Sequence, residues 1–93
     1  MFSYSSFNQP IGGWNVSKVT NMESMFESAK EFNQPIGNWD VKKVKNMKHM
    51  FKFAKKFNQD ISNWNVTVKH KKDEIFIYSP IKEEYKPVKC RII

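Results

Sequence analysis

The stretch Phe32 to Lys56, FNQPIGNWDVKKVKNMKHMFKFAKK, decides the fold of the whole chain, because Phe7 to Glu31, FNQPIGGWNVSKVTNMESMFESAKE, nearly duplicates it. Laid side by side without a gap, the two agree at sixteen of twenty-five positions. A third copy opens at Phe57 with FNQDISNWNV and keeps register through Val66, after which the pattern is lost. Phe7, Phe32 and Phe57 therefore mark one period. Self-similarity at a period between about 20 and 50 residues is the mark of chains whose units bury apolar residues only against their neighbours. The expectation is a short solenoid of two full coils with partial coils at each end. Residues 1–6 are a partial N-terminal repeat, 7–66 the repeats (7–31, 32–56 and partial 57–66), and 67–93 a divergent C-terminal segment.

Within each copy the apolar residues suggest two kinds of backbone. Val16, Val19, Met22, Met25, Phe26, Ala29 and Phe32 recur at spacings of three and four, the stripe of an amphipathic helix from Met22 onward. Thr20 followed by Glu23 fits a capping box, predicting a short helix near 21–30; in the second copy Lys45 replaces Thr20, leaving Asn46 as the cap. Pro10, Pro35 and the turn-forming Gly12, Gly13 and Gly37 exclude a long strand in the opening half. Short strands of two to four residues are expected near 14–19 and 39–44. Stacked in register, the copies would form ladders of Phe7, Phe32 and Phe57, of Ile11, Ile36 and Ile61, and of Trp14, Trp39 and Trp64. Val19, Met22 and Phe26 would join them with their equivalents Val44, Met47 and Phe51. Asn8, Asn33 and Asn58 would make a polar ladder bonding turn carbonyls, and Phe2 and Tyr4 would cover the open N-terminal end.

The repeated phrase F-N-Q-x-I-x-x-W-[ND]-V-x-x-V-x-x-M-x-x-M-F-x-x-A resembles the bacterial surface protein repeat of about 25 or 26 residues, the BspA-type leucine-rich-repeat family, with similar repeats in mycoplasma proteins and large DNA viruses. The resemblance covers Phe7 to Val66. It implies an α/β, leucine-rich-repeat-like solenoid, each coil with a short helix and a short strand. It also implies a role in adhesion or protein contacts without enzymatic activity, and offers no functional residues to carry over. A virion or capsid-associated setting follows from the viral relatives.

The net charge of +7 is unevenly placed. The first copy carries −1, the second +6 and the remainder +2. Glu23, Glu27 and Glu31 occupy the positions that Lys48, Lys52 and Lys56 occupy one copy later, and each trio runs at i, i+4 and i+8. On helices these would be facing acidic and basic stripes that pair across the first interface and set its register. The alternative is two separately solvated faces.

Chemistry is scarce. The lone Cys90 excludes an intramolecular disulfide and reads as a small packed side chain. His49 and His70 have no Cys or carboxylate at ligand or catalytic spacing in the sequence, so no metal, cofactor, small-molecule substrate or catalytic residue is expected. Asn15-Val-Ser17 and Asn65-Val-Thr67 match the glycosylation sequon but arise from the repeat phrase itself. No run reaches the roughly 18 apolar residues of a membrane span, and the start lacks a signal-peptide pattern, favouring an intracellular or virion location.

A structural or interaction module, self-stacking or bound to a protein partner in a larger assembly, is the leading expectation. Its contacts would be Lys42, Lys43 and the segment Ile75, Phe76, Ile77 and Tyr78, lying in a C-terminal segment that is either an ordered cap or a flexible arm. The alternative is non-specific binding of nucleic acid or an acidic partner through the lysines of the second copy. The periodic tryptophans belong to the core, and the near absence of Arg leaves bidentate phosphate recognition without its usual residue.

Overall fold

The apolar spacing of three and four does not produce a helix. In the computed structural model, which describes residues 2–69 and 71–91, the described residues contain no α-helix and no β-strand. They contain three short 3-10 turns, Lys72–Ile75, Glu83–Tyr85 and Val88–Cys90, and one isolated parallel bridge between Asn21 and Asn46. The expected α/β leucine-rich-repeat-like solenoid is therefore corrected: the chain is a compact globule of turns, 29 × 29 × 19 Å, with a radius of gyration of 11.7 Å. Met1, His70, Ile92 and Ile93 lie outside the described residues, and with them any role for Met1 in the partial repeat or for His70 as a ligand.

The hydrogen bonds explain why turns displace the helix. The amides of Met22, Ser24, Phe26 and Ser28 donate to the carbonyls of Asn46, Lys48, Met50 and Lys52 in the next copy, at 2.7 to 2.9 Å. The intervening amides of Met25, Glu27 and Ala29 close back on the carbonyls of Met22, Ser24 and Phe26 at 3.0 to 3.2 Å. Alternate donors thus serve the neighbouring copy and the local turn. A helix of ten residues standing alone is marginal in water, whereas this arrangement satisfies the backbone and stacks like on like. Ser24 and Ser28 take φ of 56° and 55°, as His49, Phe53 and Tyr78 do at 58°, 58° and 56°. A positive φ at the third residue of each turn is the type II geometry. It prevents both a helix and an extended run. The capping box is absent: the Asn21 and Asn46 side chains instead accept from the amides of Glu23 and Lys48 at 2.9 and 3.0 Å, closing single turns.

Residues other than glycine in the left-handed region are strained by about 1–3 kcal/mol. Ser28→Gly is expected to raise stability by about 0.5–1 kcal/mol, the relieved strain being partly offset by a more flexible unfolded chain. Ser28→Val is expected to lower it. Urea midpoints moving the same way for both would contradict the turn geometry.

The same ladder continues where the sequence pattern is lost. His49, Phe51 and Phe53 donate to the carbonyls of Glu74, Ile75 and Ile77, and Phe76 stacks on Phe51 with centroids 5.7 Å apart and planes within 1°. At the other end Phe2 and Tyr4 donate to Met25 and Glu27 at 2.9 and 2.8 Å. Phe2, Phe26, Phe51 and Phe76 therefore form one column, and Phe7, Phe32 and Phe57 another. Each layer of the core joins the end of one copy to the start of the next: Phe26 packs on Phe32 at 4.2 Å and faces Trp39, and Phe51 packs on Phe57 at 4.3 Å and faces Trp64.

Of the expected core residues, Ile11, Met22, Phe26, Phe32, Ile36, Trp39, Val44, Met47, Phe51, Phe57, Ile61 and Trp64 are buried. Phe7 and Val19 are partly buried, and Trp14 is 46% exposed. These three lie in the first layer, where among the described residues only the short segment 2–6 stands in place of a full copy, with Phe2 against Phe7 and Trp14. The indole N–H groups of Trp39 and Trp64 each donate to the isoleucine carbonyl of the copy before, Ile11 at 3.1 Å and Ile36 at 3.0 Å. The Trp14 indole makes no equivalent bond among the described residues. The asparagine ladder bonds differently from expectation: Asn8, Asn33 and Asn58 accept through Oδ1 from the amides of Asn33, Asn58 and Lys82 at 2.9 to 3.0 Å, rather than donating to turn carbonyls. Gln34 and Gln59 donate to the same asparagines.

Candidate functional site

The facing stripes resolve into individual contacts. Lys56 Nζ lies 2.9 Å from Glu31 Oε1, an exposed pair across the first interface. Glu23 instead accepts from Asn46 Nδ2 at 2.8 Å, and Lys48 turns to Glu74 at 3.9 Å. Glu27 accepts from Tyr4 Oη at 3.1 Å, while Lys52 lies over the Phe53 ring at 5.7 Å. Without helices the trios do not form two parallel stripes, so two of the three expected Glu–Lys pairs are replaced by these partners. Burial raises the Glu27 carboxyl, but hydrogen bonds from Ser24 and Tyr4 and the nearby Lys52 charge outweigh it and hold it below the ordinary value. A double-mutant cycle on Glu31 and Lys56 is expected to give about 0.2–1 kcal/mol, falling with added salt. The cycle on Glu27 and Lys52 should give less. Equal coupling in both would contradict this geometry.

The expected contact residues divide. Lys42 and Lys43 are exposed, with Lys42 Nζ 3.8 Å from Asp40. Ile75 and Phe76 are buried against the preceding layer and unavailable to a partner, a correction that follows from Phe76 completing the Phe2 column. Ile77 is half-buried; Tyr78 is 74% exposed and stacks on Phe53 at 4.9 Å. His49 Nε2 lies 4.0 Å from Glu74 Oε2, a neighbour brought in from the following copy. Cys90 is buried, and burial pushes its thiol up, away from the reactive thiolate. Among the described residues no group of three or more His, Cys, Asp or Glu side chains could hold a metal ion, and no helix is long and apolar enough to cross a membrane.

The sequence marks the N-terminal end as open but misses that Trp14, assigned to the core, stands 46% exposed on the outer face of the first layer. A pocket of about 490 Å³ opens there, lined by Trp14, Asn15, Val16, Val19, Asn21, Met22, Glu23 and Met25. Its signal in the sequence was positional: Trp14 is the first tryptophan of the series, and among the described residues before it only Phe2, with centroids 5.9 Å away, is seen against its ring.

No curated protein and no solved structure matches the chain. A family model described as a Mycoplasma protein of unknown function, DUF285, matches residues 1–84, the whole length over which the aromatic columns run, and the chain belongs to that family.

Proposed function

We propose that the chain is a non-enzymatic protein–protein interaction module working within a larger assembly. The observation that carries this is the outer face of the first layer, where a tryptophan 46% exposed stands beside an apolar pocket. Tryptophan is enriched among residues that dominate binding energy, and contiguous exposed apolar surface marks contact sites. Kinship with the BspA-type repeats rests on the shared phrase alone. The virion setting, inferred from viral relatives of the repeat, is withdrawn, since the family match gives it no support. A photo-crosslinking side chain at position 14, in the chain expressed in cells, is expected to yield covalent adducts to protein and none to nucleic acid. Adducts to nucleic acid alone would overturn the proposal.

A second reading, binding of nucleic acid or an acidic partner, is favoured by one observation. Lys45 and Lys69 line a pocket of about 370 Å³ with Thr67, and Lys43 and Lys55 are also exposed. Pairing of Lys42, Lys48 and Lys56 with carboxylates reduces the free charge on this surface. DNA binding through it would be non-specific and fall steeply with salt.

A further inference from the structure

The two ends of the molecule are unlike. At the C-terminal end Phe76 covers Phe51, and Ile81, Pro87 and Cys90 are buried beside it. At the N-terminal end Phe2 and Phe7 stack at 4.0 Å, but Trp14 and the pocket over Val16, Met22 and Met25 are left open. Along Thr20 to Glu23 the outer rim of that pocket is a backbone edge with no partner strand among the described residues. In the second copy the Lys45 amide donates to Thr20, while the Asn46 and Lys48 carbonyls accept from Met22 and Ser24. The corresponding Thr20 amide and the Asn21 and Glu23 carbonyls have no such partner among the described residues.

We propose that this face pairs head to head with the same face of a second copy of the chain. The inference rests on the interaction-module reading and names its partner. Charge favours this end: the first copy carries −1 and the second +6, so two strongly basic chains meet here with least repulsion. A two-fold axis presents the Thr20 to Glu23 edge to its mate antiparallel, amide towards carbonyl, and brings each Trp14 against the other's pocket. At the opposite end the apolar core is covered, Phe76 being buried over Phe51, so it presents no matching apolar pocket among the described residues.

Sedimentation equilibrium from micromolar to submillimolar chain is expected to give twice the 11.1 kDa mass of one chain. Trp14→Glu is expected to weaken the dimer by about thirtyfold or more, with a retained thermal transition; Trp14→Ala serves if the glutamate variant loses that transition. Val88→Glu, at a residue 65% exposed in the C-terminal segment, is expected to leave the dimer unchanged. A dimer indifferent to both Trp14 variants, or broken by Val88→Glu, overturns the proposal. A chain monomeric throughout also overturns it. If that monomer shows chemical-shift changes at Trp14 and Met22 on adding a synthetic peptide of residues 36–50, the interaction-module reading survives. If it shows none, that reading falls as well.

Discussion

Phe51→Ala is expected to remove most of the folded population in plain buffer. Phe51 is fully buried and its ring meets four others: Phe26 at 5.5 Å, Phe57 at 4.3 Å, Phe76 at 5.7 Å and Trp64 at 6.2 Å. It belongs at once to the column that crosses the copies and to the layer that joins the second copy to the third. Truncating a buried phenylalanine costs about 3–5 kcal/mol, and the lower end of the net stability of a chain of 93 residues is about 5 kcal/mol. The two figures meet. Near-ultraviolet circular dichroism should therefore lose its aromatic signal, and urea titration should show no cooperative transition from a folded baseline. Phe7→Ala is the comparison. Phe7 touches Phe2 and Phe32 but is only partly buried, so its loss should lower the midpoint while leaving the transition intact. Equal effects at the two positions would mean that the columns do not hold the chain together.

The columns themselves were legible from the period. A phenylalanine recurring every twenty-five residues must either stack on its equivalents or be exposed, and the stacked outcome needs no knowledge of the backbone between. What could not be read was the backbone. Met22, Met25, Phe26 and Ala29 face inward at spacings of three and four because each pair is separated by one tight turn, and that spacing is shared by a helix. The deciding fact is the positive φ of Ser24, Ser28, His49 and Phe53, residues whose types give little warning of it. Glycine at those positions would have been the signal. Likewise the loss of pattern after Val66 hid a continuing geometry, since Ile75 and Phe76 fill the places of Met50 and Phe51 with a different lead-in sequence. The charged contacts were legible only where they did not depend on a helix. Glu31 and Lys56 meet because equivalent residues of adjacent copies are adjacent in space, whereas Lys48 finds Glu74 in a segment whose equivalence the sequence concealed. Trp14 shows the same limit: the period assigns it to the core, and only its place as the first of three exposes it.

Gly37→Ala is expected to destabilise the chain by about 1–3 kcal/mol, and the reason is contact between copies. Gly37 does not have a positive φ, so turn conformation does not require glycine there. A Cβ at this position would lie 2.5 Å from the carbonyl oxygen of Asp60, and one at Gly12 would lie 2.8 Å from that of Pro35. Both obstacles are backbone of the following copy, which cannot swing aside as a flexible side chain can. The copies would have to separate locally, and the indole bonds from Trp39 to Ile11 and from Trp64 to Ile36 cross the same two junctions. Gly13 is the control, because nothing lies within 4 Å of a Cβ built on it. Gly13→Ala should be neutral or stabilise by about 0.4–1 kcal/mol through a less flexible unfolded chain. The third copy supports the argument, since it carries Ser62 where the second has Gly37, and there the hydroxyl turns to Asp60 Oδ1 at 2.6 Å. Thermal melts of the two alanine variants therefore test whether close approach of successive copies, rather than turn flexibility, fixes these glycines: opposite signs follow from close approach, and equal small shifts would leave turn flexibility as the cause.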